Sequence, residues 1–156
     1  MADPLQSAAL HAATPPDLSL EQFIWLIGNL CRVHRRRLDA ARLLEKFPPP
    51  HRRATLVDAA REQGFLSYEM SLAGVRVEAI PLPAIAFLRA VAAPGAQAPL
   101  GAPIPGLIAK CEAGRLLHVE ACSDLPRTRL TRNFEEFFEP SVILVVPERE
   151  TGGAAG

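Results

Sequence analysis

Cys31 and His34 are the first residues in this chain whose types and spacing could do chemistry. Three positions apart on a helix they share a face, so they could pair as nucleophile and general base, or as two metal ligands. His118 with Asp124 could complete either set. Against this, Cys31 lies on the apolar stripe Leu20, Phe23, Ile24, Ile27, Leu30, Cys31, His34, about three turns from the helix start, where a thiol is inert core more often than reactive. His118 follows Leu116-Leu117 in a strand-like stretch and reads as an ordinary sheet residue. Only two cysteines and one histidine could meet there, too few for a closed metal site. No metal and no other cofactor is expected. A hydrolase built on Cys31 or Cys122 remains the enzymatic alternative.

The elements that would position these residues can be read along the chain. Residues 1–17 have no useful periodicity and read as a flexible leader. Ser19-Leu20-Glu21-Gln22 is a capping box, with Leu18 placed to staple onto Phe23, and it starts a helix carrying the stripe above. Asp39 to Phe47 gives a second short helix with Ala40, Leu43, Leu44 and Phe47 inward, stopped by Pro48-Pro49-Pro50. Thr55 reads as the cap of a third helix with Leu56, Ala59 and Ala60 on its apolar face, and Gly64 supplies a left-handed end. Strand character follows: Phe65 to Ser71, Leu82 to Arg89, then Leu107 to Cys111 joined to Leu116 to Ala121 through Glu112-Ala113-Gly114-Arg115 as a hairpin. Thr131 is placed to cap a short helix running to Phe138, and Val142 to Val146 is a β-branched closing strand. Residues 90–103 are rich in Pro, Gly and Ala and read as an inserted loop, and 148–156 as a tail or linker.

Composition narrows the function classes. A chain of 156 residues that is 49% hydrophobic suits one domain with one core, here residues 18–147. The 17 basic and 17 acidic residues cancel, so net charge makes no case for nucleic acid or an anionic membrane. Three widely spaced cysteines, Cys31, Cys111 and Cys122, fit neither a disulfide framework nor a zinc knuckle and suit a reducing, cytoplasmic compartment. No secretion signal is evident, no apolar run approaches the roughly 20 residues of a membrane-spanning helix, and no phosphate-gripping glycine loop is present.

Several stretches, in order and with nearly gap-free spacing, resemble the bacteriocin-processing peptidases of cysteine family thirty-nine. They are Val33-His34 closing the first helix, Leu43-Leu44-Glu45-Lys46-Phe47 closing the second, the run Leu56 to Phe65, Leu82-Pro83-Ala84-Ile85-Ala86-Phe87, and Phe134-Glu135-Glu136-Phe137-Phe138 before the last strand. The Leu-Pro-Ala-Ile-Ala run is the most specific. The resemblance spans about Ser19 to Val146 and implies an α+β, papain-like fold, with helices in the first half packed on an antiparallel sheet.

What the resemblance implies for chemistry is a loss. In working members the nucleophilic cysteine sits at the start of the first helix between Asp and Gly, where the helix dipole favours thiolate. Counting back from Val33-His34 lays Glu21-Gln22-Phe23 over that triplet. The oxyanion glutamine falls near Pro16, the general-base histidine near Pro105, and its orienting acid at Glu120. Gln22 has no nucleophilic atom and Pro105 no base, so the resemblance implies a non-enzyme.

Relatives that have lost activity include the amino-terminal domains of exporters of the haemolysin type, which hold an unfolded calcium-repeat toxin or adhesin before export. The resemblance therefore implies an unfolded secreted protein and the exporter's membrane and ATPase domains as partners, at the cytoplasmic face of the inner membrane. No nucleic acid partner and no insertion of this chain into the bilayer are expected. Candidate binding residues are Arg35, Arg36 and Arg37, within a basic segment from Arg32 to Arg53 that would attract an Asp-rich chain, and Trp25 with Tyr68, which could stack on an extended one. A structural domain supporting transporter assembly is the non-binding alternative.

Overall fold

The computed structural model describes residues 17–89 and 103–147, and its first helix, α1 (Leu20–Val33), begins at the capping box legible in the sequence. The Gln22 N–H donates to Ser19 Oγ at 3.1 Å, and the Ser19 N–H donates to Gln22 Oε1 at 2.8 Å. The expected leader over 1–16, most of the inserted loop (90–102) and the tail over 148–156 lie outside the described residues. The buried stripe of α1 is Phe23, Leu26, Ile27, Leu30 and Cys31. It is rotated slightly from the expected one: Leu20 is 38% exposed, and Leu26 is fully buried instead.

The second helix, α2 (Ala40–Lys46), is capped by Asp39, whose Oδ1 accepts the Arg42 N–H at 3.1 Å. Leu43 is its buried residue, while Ala40, Leu44 and Phe47 are half-buried. The third, α3 (Arg53–Glu62), starts earlier than Thr55 suggests. Thr55 is not its cap: Thr55 Oγ1 accepts the Arg52 N–H at 3.0 Å from the third helical position. The first helical N–H, that of Arg53, is instead satisfied by Asp17 Oδ2 at 2.9 Å. Asp17 thus belongs to the fold and not to a leader. A cap supplied from 36 positions away leaves no local sequence signal. Gly64 ends α3 at φ +90°, in the left-handed region open to glycine.

The strands β1 (Phe65–Ser71), β2 (Ala84–Leu88), β3 (Ile104–Glu112), β4 (Arg115–Glu120), β5 (Arg127–Leu130) and β6 (Phe138–Pro147) form one sheet in the order β1-β6-β2-β3-β4-β5. Every neighbouring pair is antiparallel. The β3–β4 hairpin turns on Ala113 and Gly114, at φ 52° and 75°, the two left-handed residues of a tight turn whose twist suits the strands. β5 has no counterpart in the sequence reading. Arg127-Thr128-Arg129-Leu130 lacks an apolar face of its own and becomes a strand by pairing with β4. The helical stretch before β6 is also different, a 3₁₀ turn over Thr131–Asn133 followed by a four-residue helix, α4 (Phe134–Phe137). Thr131 caps neither: its Oγ1 donates to the Gly114 carbonyl at 3.1 Å, pinning the end of β5 to the hairpin turn. β6 begins at Phe138, before the Val142 start that β-branching marks.

The sheet is buried on both faces. On one side α1, α2 and α3 pack on Phe65, Ile85, Phe87, Leu107, Ile143 and Val145. On the other, Leu72, Val77, Ile80, Phe134 and Phe138 cover Ala84, Ala86, Ile108, Leu116, Val142 and Leu144. Consecutive strand residues alternate between these layers, so the two lists assign each central-strand side chain to a face.

Two glycines should respond oppositely to a methyl group. At Gly28, within α1, an added Cβ would meet only Leu38 Cδ2 at 3.6 Å, so Gly28→Ala is expected to stabilise by about 1 kcal/mol through helix propensity. At Gly106 the same atom would strike the Val119 carbonyl oxygen at 2.6 Å and Glu120 Cα at 3.2 Å, so Gly106→Ala must part β3 from β4 and should cost about 1–3 kcal/mol. Urea midpoints at unchanged slope measure both.

Candidate functional site

The start of α1, the start of β3 and the end of β4 meet on the helix side of the sheet. Pro105 in β3 is buried and lies between Phe87 of β2 and Ala121 just past β4; the Ala121 N–H donates to the Pro105 carbonyl at 2.9 Å. Phe87, Leu107 and Ala121 all belong to the helix-side core, which sets the face to which Pro105 also belongs. Cys122 follows at φ 68°. Its thiol is pushed up by burial and also by the carboxylate of Glu21, which places the first turn of α1 across from the β4–β5 turn. At this junction Gln22 spends its side-chain oxygen on the capping box.

Glu120 does not join them. It is in register with Gly106, and Gly106 with Ala86, whose methyl lies in the opposite core layer. One residue of slip moves a side chain to the other face of a sheet. The residue beside Pro105 on the helix face is therefore Ala121. Counting along one strand from a distant motif cannot resolve such a slip, and the inter-strand register does.

The candidate binding residues also separate. Trp25 is half-buried on α1 against the helix-side core. Tyr68 is 50% exposed on β1 and pairs with Leu144, a residue of the other layer. The two aromatics stand on opposite faces of the sheet and cannot stack together on one chain. Arg36 is internal: its Nη1 donates to the Gln63 carbonyl at 2.8 Å and its guanidinium lies 4.6 Å from the Phe65 ring centre. A Cβ on Gly64 would collide with that guanidinium at 2.5 Å, so the glycine ending α3 also makes room for Arg36. Arg35, at φ 56°, and Arg37 are exposed on either side of it. Elsewhere in the basic segment Lys46 pairs with Glu62. Arg53 pairs with Glu139 at 2.6 Å and lies 3.7 Å over the Phe87 ring.

Cys31 and His34 sit where the stripe suggests. Cys31 is buried, its thiol raised by desolvation, with Arg36 opposing this weakly. His34 packs its ring 5.1 Å from that of Phe65, and burial and Arg36 both hold it below the usual imidazole range. A thiol held protonated beside a weakened base is a poor nucleophile at neutral pH. His118 is 2% exposed and accepts a hydrogen bond at Nε2 from Arg129 Nε at 3.0 Å. Burial, then Arg129 and Arg127, push it down to about 4. Asp124 is exposed in the β4–β5 turn and is not among its partners. A histidine the motifs did not mark, His51, is buried and stacked 4.0 Å from the Phe23 ring; its Nε2 is 2.9 Å from the Phe47 carbonyl. Its position beside the Pro48-Pro49-Pro50 stop is its only sequence cue. Among the described residues no three His, Cys, Asp or Glu side chains gather as metal ligands.

Arg36→Ala should cost about 2 kcal/mol, since it removes a charged hydrogen bond to a backbone carbonyl and a ring contact. Arg35→Ala and Arg37→Ala should stay within about 0.5 kcal/mol; urea denaturation separates them. A second expectation follows from His118. Its folded-state value near 4 lies below the ordinary 6.5, so the unfolded chain binds its proton first and stability falls as pH drops through 6.5 toward 4. Between pH 6.5 and 5 the loss from this group should be roughly 1.5 kcal/mol, with His34 adding in the same direction. His118→Gln, which keeps an acceptor for Arg129, should flatten the urea-midpoint profile over that interval.

No protein-family model and no curated protein sequence matches the chain. Solved structures do. The N-terminal peptidase C39-like domain of the toxin secretion ATP-binding protein from Vibrio parahaemolyticus superposes at TM-score 0.54 with 15% identity, covering 86% of this chain and 98% of that one. The peptidase domain of Streptococcus ComA, a bi-functional ABC transporter of a quorum-sensing pathway, gives TM-score 0.59 at 12% identity over 86% and 97%. A double glycine motif protease from an AMS/PCAT transporter, in complex with the leader peptide, gives 0.61 at 9% identity over 83% and 86%. With its helices on one face of a six-stranded antiparallel sheet, the chain has the α+β, papain-like fold of the C39 peptidase domains of ABC transporters.

Proposed function

We propose that this domain is a non-catalytic substrate-recruitment module of a type I secretion exporter of the haemolysin type. It holds an unfolded secreted protein, such as a calcium-repeat toxin or adhesin, beside the transporter's membrane and ATPase domains. The observation carrying this reading is that Gln22 in the first turn of α1 and Pro105 in β3 stand where the resemblance lays nucleophile and base, with Ala121 hydrogen-bonded beside Pro105, on a fold shared with exporter peptidase domains. Where a peptidase of this fold needs thiolate, imidazole and carboxylate, these three offer an amide, a ring without a base and a methyl group. The acid position is assigned to Ala121 in place of Glu120, because only Ala121 shares a face with Pro105. Cys31 is a poor substitute nucleophile for the reasons of burial given above.

Peptide capture is the capacity such a cleft would keep. One structure of this fold is in complex with a leader peptide, which supports a polypeptide ligand here. Trp25, half-buried one turn beyond Gln22, offers an aromatic surface near the cleft. Arg35 and Arg37 offer charge to an Asp-rich chain, and Arg36 fixes the turn that presents them. Among the described residues no helix is long and apolar enough to cross a membrane.

The test is to titrate the labelled chain with an unfolded calcium-repeat polypeptide, with and without calcium, and to examine the same samples for cleavage. Binding confined to the calcium-free chain, without cleavage and weakened severalfold by Arg35→Glu with Arg37→Glu, is the expected result. Cleavage abolished by Cys31→Ala or Cys122→Ala would establish a cysteine hydrolase instead. No binding by the folded domain would leave a structural role in transporter assembly.

A further inference from the structure

We propose that the outer edge of β5 is a docking site for an extended acidic polypeptide segment, which joins the sheet as a further strand. β5 and β1 close the two ends of the sheet. Along β1, α3 packs beside the strand and Arg61 Nε takes the Ser67 carbonyl at 3.0 Å. β5 has no such cover among the described residues. The Thr131 N–H points toward β4, donating to the Gly114 carbonyl at 2.9 Å. In an antiparallel ladder main-chain direction alternates, so Arg129 and Arg127, in register with Leu116 and His118, also turn their polar groups toward β4. That directs the N–H and C=O of Thr128 and Leu130 outward, and no backbone group among the described residues bonds to them there.

The side chains around this edge select its partner. Arg127 is exposed and pairs with His118, whose ring meets Phe138 of the layer opposite the helices. Arg115, exposed, is in register with Leu130 at the other end of the strand, and Arg132 is exposed just beyond it. Arg129 is already engaged by His118 and the Phe137 ring. Glu112 is paired with Lys110 at 2.9 Å and Glu78 with Arg76 at 3.4 Å, while Asp124 at the turn before the strand and Glu135 and Glu136 in α4 are exposed. Leu125 and Leu130 add apolar contact at 72% and 36% exposure, and a groove of about 310 Å³ lined by Lys110, Glu112, Arg115, Leu117 and Thr128 opens beside the strand. Backbone pairing supplies affinity in strand addition, and alternate side chains supply selection. The same arginines that keep a neutral or basic strand from the edge would welcome one with carboxylates at alternate positions. The inference does not depend on what the α1 cleft does.

The experiment is an amide-resolved NMR titration of the isotopically labelled chain with a short peptide of alternating Asp and Val, and with its Lys–Val counterpart. Saturable shifts centred on Thr128 and Leu130 are expected with the acidic peptide only, weakening as salt rises. Arg127→Glu with Arg132→Glu should raise Kd at least tenfold. Thr128→Pro removes an outward N–H without touching the bonds to β4 and should do the same, with spectra outside β5 unchanged. Should that variant unfold, an acidic peptide N-methylated on alternate amides must bind at least tenfold more weakly. No saturable shift, shifts centred on the start of α1, equal binding by the Lys peptide, or indifference to both strand-blocking changes would overturn the proposal.

Discussion

Burial of β2 and β6 on both faces is the constraint from which the remaining architecture follows. Ala84, Ile85, Ala86 and Phe87 in one strand, and Val142, Ile143, Leu144 and Val145 in the other, are all 3% exposed or less. A strand hidden on both faces reads as a continuous apolar run and needs a layer on each side. Three helices supply one layer, and the segment from Leu72 to Ile80 with Phe134 and Phe138 supplies the other. β4 and β5, farther from this centre, keep more of their surface, and there the sheet has an edge still able to pair.

Charge is placed where these layers are joined. Arg53 opens α3 and reaches the Phe87 ring of β2, Glu139 of β6 and Glu69 of β1. A half-buried cation is tolerated because its carboxylate partners replace the water it loses. Arg36 does a related task at the other end of α3 by filling the space left by Gly64 and bonding to the Gln63 carbonyl. The basic segment between α1 and α3 is therefore divided. Arg36, Lys46 and Arg53 hold elements together, whereas Arg35 and Arg37 face solvent from a turn made rigid by their neighbour.

The same division separates what the cleft and the β5 edge offer. At the cleft the helix start still meets β3 and β4 as a papain-like fold requires, yet Gln22 there serves the helix itself. At the edge, the outward main-chain groups of Thr128 and Leu130 have no backbone partner among the described residues, and Arg115, Arg127 and Arg132 are exposed. In the proposed roles, recognition would draw on charge and an aromatic surface near the cleft, and on charge and backbone pairing at the edge.

Local order was legible in the sequence because its causes are local. The Ser19–Gln22 box, Gly64 at a left-handed end and the Ala113-Gly114 turn each depend on residues within one turn of one another. The apolar runs of β2 and β6, together with the order of the resembling stretches, determined the fold class as well. Contacts across strands carry no such local mark. Register decided that Ala121 and not Glu120 stands beside Pro105, and register with the packing of α1 put Tyr68 and Trp25 on opposite faces. Pairing with β4 alone made a strand of Arg127–Leu130. Asp17 capping α3 and Arg36 turning inward were likewise decided by tertiary structure, since each satisfies a group that only folding brings within reach.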